Sequence, residues 1–245
     1  MTQSRSTFAI DPTLRPDAIS GPLRRFGRAH IPGFLAAGGA DRLHGALEAE
    51  TGWVRSTRSN GQARDLPVQA LEALDPARQA AIVEAAHAEA ARGFHYLFDT
   101  IRISDVAERG EPLQSPYDAL FGFLNGPDFL GFIRAATGER ACAYVDAQAT
   151  RYRRGHYLTC HDDHAEGKER LYAYVLNLTP RWQADWGGLL AFIDGDGHVA
   201  EAYAPAFNAL NLFKVPHPHA VTYVAPFAGG DRLSVTGWIR ASGPG

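Results

Sequence analysis

The hydrophobic pattern divides the chain into a helical first half and a second half of short strands. From about residue 32 to residue 138, apolar positions recur at helical spacing in an Ala-, Leu- and Glu-rich sequence. After Gly138, seven short runs of β-branched and aromatic residues are separated by turn clusters, which is typical of a sandwich, barrel or jelly roll. The helical spacing predicts elements at about residues 40–50, 74–98, 115–126 and 127–138.

We expect one α+β domain over residues 1–245, because helices this short bury their apolar faces most easily against a sheet. Its helical support spans about residues 1–138 and its all-β core about 139–241. The polar stretch at 55–65 is expected to be a surface loop. We interpret DGDG at 194–197 as a hairpin turn rather than a calcium loop, since the later acidic ligands are missing.

Composition narrows the function classes. Lys and Arg total 24 against 27 Asp and Glu, a net charge of −3 that argues against a nucleic-acid partner. Two cysteines, Cys142 and Cys160, fit a reducing compartment. No apolar run approaches the roughly 18 residues of a membrane span, and the N-terminus lacks a signal-peptide pattern. We therefore expect a cytoplasmic protein with no membrane partner.

Two histidine-containing segments, CHDDH and VPHPHAV, offer metal ligands. Residues two apart in a strand point to the same face, so His161 and Asp163 are expected to lie side by side. A second strand supplies a third ligand, and His217 and His219 share one strand face. Two imidazoles and one carboxylate form the facial triad of non-haem Fe(II) oxygenases, which leaves open coordination positions.

Arg232 opens the apolar strand RLSVTGWI. A buried Arg is costly unless a fixed anion meets it, and its planar fork fits a carboxylate with two parallel hydrogen bonds. The alternative is an exposed Arg at a strand start after the GGD turn. Spacing alone leaves both interpretations open.

Four segments in this order, YRRGHYLTCHDD, RLYAYVLNLTPRWQADWGGLLAFID, PHPHAVTYV and GGDRLSVTGWI, resemble the Fe(II)/2-oxoglutarate-dependent dioxygenases. Within that superfamily they look most like the prolyl 4-hydroxylase branch. The resemblance covers roughly residues 140–240, and RFGRAHIPGFL is also similar to an N-terminal segment of the family. It implies a double-stranded β-helix (jelly roll) core, with Fe(II), 2-oxoglutarate, and ascorbate as an accessory reductant.

The resemblance also implies residue roles. His161, Asp163 and His219 would bind iron, and His219 is preferred to His217 because an apolar residue, Val221, follows two positions later. Arg232 would bind the distal carboxylate of 2-oxoglutarate. The positions that match the cosubstrate pocket of the family are Tyr152, Asn177, Leu190, Val221, Ser234 and Trp238.

Alternative roles stay open for two of those positions and for the residues expected to contact substrate. Asn177 stands where relatives often have a tyrosine, and Ser234 either contacts the carboxylate or packs. Arg170 matches a position that helps to hold substrate in the hypoxia-related prolyl hydroxylases. The tryptophans stack on a prolyl ring or cap the core. The residues expected to border the substrate entrance are Tyr157, Arg170, Tyr172, Trp182 and Trp186.

The resemblance implies hydroxylation of a prolyl residue of a protein, with succinate and CO2 as co-products. In outline the chain resembles the ribosomal-protein prolyl hydroxylases, with length for one catalytic domain. The alternative is a hydroxylase of a free amino acid or other small molecule on the same iron centre. A non-enzymatic metal-binding jelly roll is a third hypothesis, and the presence of Arg232 counts against it. Oligomeric state stays open.

Overall fold

The helices lie mainly in the first half of the chain. The computed structural model describes residues 7–36 and 38–243. No helix in these ranges is long and apolar enough to cross a membrane. The helices are α1 (Pro16–Phe26), α2 (Gly39–Ala49), α3 (Val68–Glu72), α4 (Pro76–Ala90), α5 (Ile103–Glu108), α6 (Tyr117–Leu124) and α7 (Pro127–Thr137), with a 3₁₀ turn at Ala184–Trp186.

The strands run through the whole described chain. Each run that the sequence predicted after Gly138 contains at least one strand, and the turn at 194–197 joins two strands as a hairpin. The strands are β1 (Arg28–Ile31), β2 (Val54–Ser59), β3 (Gln62–Pro67), β4 (Tyr96–Ile101), β5 (Tyr144–Val145), β6 (Gln148–Tyr152), β7 (Tyr157–His161), β8 (Arg170–Asn177), β9 (Leu190–Ile193), β10 (Val199–Tyr203), β11 (Ala209–Lys214), β12 (His219–Val221) and β13 (Arg232–Arg240).

These strands form one antiparallel sheet that curls into a nearly closed barrel. The order along it is β1-β11-β8-β13-β6-β4-β7-β12-β9-β10, while β2 pairs with β3 and β4, and β5 pairs with β13. Phe192 on β9 packs against Phe213 on β11 with ring centroids 5.2 Å apart, so the two halves of the sheet face each other. The architecture is the predicted α+β jelly roll.

The helices cover the outer face of the sheet, because successive side chains along each strand alternate between that face and the barrel interior. On β11, Leu210 and Leu212 join the large apolar core formed with the helices, while Phe213 points into the barrel. Helix residues Leu43 and Phe129 are fully buried in that same core. The period-2 pattern therefore produces two apolar layers, one under the helices and one inside the barrel.

The first half of the chain is less helical than the sequence predicted. Residues 55–65, expected to be a loop, form the β2–β3 hairpin, whose turn places Asn60 and Gly61 at positive φ (52° and 75°). An Asn-Gly pair at such a turn is a strong hairpin signal. The helix expected to reach residue 98 ends at Ala90, because the following FHYLF has aromatic residues at every second position and becomes β4.

Side chains close the barrel between its first and last strands. Arg28 on β1 donates from Nε to Glu201 on β10 at 2.7 Å. The rings of His30 on β1 and Tyr203 on β10 lie 5.3 Å apart. This seam joins two edges that share no backbone hydrogen bonds within the described residues.

His156 is buried in the tight turn between β6 and β7. It is 3% exposed, and its Nδ1 accepts a hydrogen bond from the backbone N–H of Arg153 at 3.1 Å. Burial, together with nearby Arg55, lowers the pKa of His156 from 6.5 to about 3. The folded protein therefore holds a neutral imidazole at this turn.

We expect His156 to destabilise the protein in acid. Below pH 6.5 the unfolded chain takes up a proton that folded His156 refuses until about pH 3, so stability falls between those values. The contribution is about 1.4 kcal/mol per pH unit. Chemical denaturation from pH 7 to pH 4 should show a shallower loss of unfolding free energy in His156→Gln than in the wild type. Parallel curves would contradict this assignment.

Candidate metal and cosubstrate site

Two histidines face each other across a strand pair. His161 ends β7 and is directly paired in register with His219, the first residue of β12. Their ring centroids lie 4.2 Å apart inside the barrel. Antiparallel pairing therefore brings together two imidazoles that are far apart in sequence.

Asp163 completes the cluster, although not in the way that strand alternation predicted. It lies beyond the end of β7 with φ at 63°, a left-handed conformation that costs an L-residue about 1–2 kcal/mol and that Asp tolerates better than most. Its Oδ1 is 3.3 Å from His161 Nε2, and its Oδ2 is 3.4 Å from His219 Nε2. The carboxylate thus spans the two imidazoles, and their ligand atoms all lie within 4.8 Å of one another.

Backbone carbonyls set the tautomer of both histidines. Nδ1 of His161 lies 3.0 Å from the carbonyl oxygen of Thr159, and Nδ1 of His219 lies 2.8 Å from that of His217. A carbonyl only accepts, so each Nδ1 carries the proton. Each Nε2 then presents its lone pair toward Asp163, which is the arrangement that a metal-binding imidazole needs.

Protonation states also fit metal binding. Burial and the neighbouring His161 lower the pKa of His219 to about 4. Burial opposes ionisation of Asp163, but the adjacent imidazoles of His161 and His219 outweigh it, and the net effect lowers the pKa of Asp163. At neutral pH the site therefore offers a neutral His219 and an ionised carboxylate.

His217 points elsewhere. It precedes β12, its Nε2 lies 3.4 Å from Arg28 NH1, and its ring packs edge-on against Phe192. Within the described residues, the candidate metal ligands are His161, Asp163 and His219.

A cavity of about 740 Å³ opens beside the cluster. Arg232 lines it and is 1% exposed, which excludes the exposed alternative. Burial lowers the pKa of its guanidinium, which lies 5.0 Å from the Tyr152 ring centroid, and no described residue gives it a carboxylate partner. A buried cation of this kind fits an anion supplied by a ligand.

The predicted cosubstrate positions divide into two groups. Tyr152, Leu190, Val221 and Trp238 line the cavity. The other two lie behind its wall, within the buried sheet. Asn177 donates to the carbonyl of Ala209 at 3.2 Å, and Ser234 shares a 2.8 Å hydrogen bond with Thr150. For Ser234 this arrangement corresponds to the packing alternative.

Four of the five predicted substrate residues do not line this cavity within the described chain; Arg170 does. Tyr157 lies in a separate groove with His87 and Tyr223. Tyr172 packs against the helix-covered core. Trp182 and Trp186 meet edge to face with ring centroids 5.3 Å apart and pack on a small core. This arrangement corresponds to the alternative in which the tryptophans cap the core.

The aromatic lining comes from residues that the sequence analysis placed in a helix. Phe94, Tyr96 and Phe98 alternate along β4 and its lead-in, and each lines the cavity. Neighbouring ring centroids are 5.8 and 5.6 Å apart, and Phe98 stacks on Tyr152 at 5.3 Å. We call these four residues the aromatic wall. The alternation in FHYLF was the sequence signal that could have revealed it.

The site matches a known family model. Residues 147–240, which include the cluster and Arg232, match the model described as the 2OG-Fe(II) oxygenase superfamily. This part of the chain is similar to the 2-oxoglutarate- and Fe(II)-dependent oxygenases. The donor set and the unpaired buried guanidinium fit Fe(II) and 2-oxoglutarate, the cofactor and cosubstrate of the superfamily.

Curated proteins that are similar to this chain include prolyl hydroxylases. It is 27% identical over 153 residues to prolyl 3-hydroxylase OGFOD1 of Mus musculus, covering 60% of this chain and 28% of that protein. It is 33% identical over 120 residues to OGFOD1 of Xenopus laevis, covering 46% of this chain and 23% of that protein. The match thus spans about a quarter of the length of these relatives.

Solved structures share the fold of this chain. A Pseudomonas putida prolyl-4-hydroxylase aligns with TM-score 0.57 and 22% identity, covering 94% of this chain and 100% of that one. A Trichoplax adhaerens prolyl hydroxylase, in complex with a hypoxia inducible factor peptide fragment, gives 0.59 and 18%, covering 92% and 89%. The epimerase SnoN, in complex with Fe3+, alpha ketoglutarate and nogalamycin RO, gives 0.53 and 12%, covering 92% and 83%.

We expect His219, and not His217, to be required for metal binding. Asp163→Ala and His219→Ala should abolish Fe(II) binding at stoichiometric metal, since each removes a ligand of a three-residue site. His217→Ala should retain binding and is the matched control. Anaerobic equilibrium dialysis with iron analysis measures the outcome. Loss of iron in His217→Ala with retention in His219→Ala would reverse the assignment.

We expect Arg232→Ala to weaken 2-oxoglutarate binding while the metal stays bound. Removing one partner of a buried, hydrogen-bonded charge pair costs about 2–5 kcal/mol. Calorimetric titration of the metal-loaded protein with 2-oxoglutarate measures the effect, and metal analysis of the same sample is the control. An unchanged 2-oxoglutarate affinity would show that another group holds the carboxylate.

Proposed function

We propose that this protein is a 2-oxoglutarate- and Fe(II)-dependent hydroxylase of prolyl residues in a polypeptide, releasing succinate and CO2. The observation that carries the prolyl assignment is the aromatic wall, which runs from a metal ligand to the cosubstrate anchor. Its outermost ring, Phe94, is 45% exposed and lies 5.5 Å from the ring of His161. An apolar prolyl ring suits such a surface beside the metal.

The similar proteins support the same substrate class. Two OGFOD1 proteins are prolyl 3-hydroxylases, and the Trichoplax structure contains a peptide fragment. The cavity of about 740 Å³ lies in the upper part of the range of roughly 300–1,000 Å³ for ligand sites. This volume accommodates a small cosubstrate together with one side chain of a substrate.

Different residues have different roles in the proposed reaction. His161, Asp163 and His219 hold the metal, and Arg232 anchors the distal carboxylate of 2-oxoglutarate so that its keto-acid end faces the metal. Fe(II), when bound, supplies the dioxygen chemistry of the superfamily. Apolar side chains around the ligands, such as Val221, exclude water from the reacting groups.

Phe94 is held in place for a substrate contact. The guanidinium of Arg58 lies 5.3 Å from its ring centroid, and Tyr96 packs beside it. A ring braced by neighbours loses little conformational entropy when a substrate stacks on it. Arg58 and Phe94 thus form the outer lip of the aromatic wall.

A free amino acid is the second candidate substrate, favoured by charged groups in the outer part of the same cavity. Asp146 and Arg240 line it and lie 3.2 Å apart, and Nε of Arg240 has no hydrogen-bond partner among the described residues. A carboxylate and a guanidinium complement the amino and carboxyl groups of a zwitterion. SnoN, with its nogalamycin complex, has a small-molecule ligand on this fold.

We expect a proline-containing peptide to stimulate succinate formation far more than free L-proline does. A peptide makes several contacts at the cavity entrance at once, whereas free proline makes only those of its ring and charged ends. Succinate release and peptide mass measure the reaction, with one added oxygen located by fragmentation. The control is the same peptide with Ala replacing Pro.

Variants of the wall test the same proposal. Phe94→Ala should raise the peptide KM about tenfold, the effect of losing roughly 1.4 kcal/mol of contact energy. Phe94→Tyr should keep it near the wild-type value. Tyr223→Ala is the matched control, because Tyr223 is equally exposed but lies in the separate groove. Turnover of free amino acids without turnover of any proline peptide would transfer the protein to the small-molecule class.

A further inference from the structure

Asp163 is carried by the loop between β7 and β8, at residues 162–169, rather than by a strand. With a left-handed backbone, its carboxylate direction depends on how the loop is held. Two hydrogen bonds hold its first two residues. The carbonyl of Asp162 accepts from the backbone N–H of His217 at 3.2 Å, and the carbonyl of Asp163 accepts from Nη1 of Arg170 at 3.0 Å.

Arg170 is itself fixed by a flat stack. It opens β8, and its guanidinium carbon lies 3.5 Å from the ring centroid of Trp238 on β13. Stacking fixes the plane of a guanidinium and therefore the direction of its N–H groups. The path from the sheet to the metal ligand runs from Trp238 through Arg170 to the carbonyl of Asp163.

We propose that Arg170 is a positioning residue for the metal ligand Asp163, rather than the substrate contact that the family resemblance implies. It holds the carbonyl of Asp163 so that the carboxylate spans both imidazoles. This role rests on the proposed metal site, and it is independent of whether the substrate is a peptide or a free amino acid.

The charge of Arg170 and its positioning role predict opposite effects of its removal on metal affinity. A guanidinium close to the site repels a divalent cation, so deleting its charge would strengthen metal binding if only Coulomb energy mattered. A positioning role predicts weaker binding, because a misdirected carboxylate no longer meets the metal together with the histidines. The direction of the change therefore separates the two effects.

Metal titration of four proteins tests the role without any substrate. We expect Arg170→Ala to raise the dissociation constant for Fe(II) and Co(II) about tenfold, the lower end of the effect of removing a group that orients a metal ligand. Its Co(II) absorption bands should shift, since they report coordination geometry. Arg170→Lys, which keeps a donor but not the planar stack, should fall between Arg170→Ala and wild type.

Lys168→Ala is the matched control. Lys168 lines the same cavity and carries the same charge, but it makes no hydrogen bond or ion pair with Asp163 in the described structure. Its removal should leave the metal dissociation constant unchanged or lower it. An equal loss of affinity in Lys168→Ala and Arg170→Ala would overturn a specific role for Arg170.

The remaining outcomes are also decisive. Wild-type affinity and an unshifted Co(II) spectrum in Arg170→Ala, with a raised KM for substrate, would make Arg170 a substrate residue. If Arg170→Ala fails to fold, Arg170→Lys and Arg170→Gln decide the matter, and wild-type metal affinity in both overturns the role. No metal binding by the wild-type protein would instead overturn the proposed metal site itself.

Discussion

The direct pairing of His161 with His219 across β7 and β12 is the constraint on which the site depends. Register places the two imidazoles at ring-contact distance, and backbone carbonyls fix their tautomers. A one-residue slip would turn one histidine to the opposite face of the sheet, because side chains alternate along a strand. Asp163 then needs only a loop of the right conformation to reach both rings.

Sequence reasoning predicted which residues cluster better than it predicted the geometry that brings them together. Spacing and resemblance led to His161, Asp163 and His219, yet Asp163 reaches the cluster from a left-handed loop position that no alternation rule describes. The choice between His217 and His219 depends on where β12 starts. Strand boundaries are set by long-range pairing, which a local pattern does not contain.

The aromatic wall shows the opposite failure. Its signal was local, since Phe94, Tyr96 and Phe98 have strand period, but the preceding Ala-rich segment extends a helical pattern into them. The tryptophans of the loop before β9 were more conspicuous, yet they pack against a core that includes Phe98 and Tyr152 and do not line the cavity. Position relative to the cavity, rather than aromatic content, therefore distinguishes the two sets of rings.

The buried charges of the site follow a consistent logic. Arg170 stacks on a ring face and donates to a carbonyl, whereas Arg232 is left without an anionic partner among the described residues. Folding therefore pays a desolvation cost at Arg232 that a dianionic cosubstrate recovers on binding.

The position of β4 has a consequence for the whole barrel. Within the described residues, β4 is the sole strand with backbone pairing to both β6 and β7. It alone therefore joins the two halves of the sheet by backbone hydrogen bonds. One half carries His161 and His219, and the other carries Arg232 on β13. The distance between the candidate metal ligands and Arg232 therefore depends on a strand that contributes none of these residues and precedes the matched residues 147–240. A change in the register of β4 would alter which length of keto acid fits.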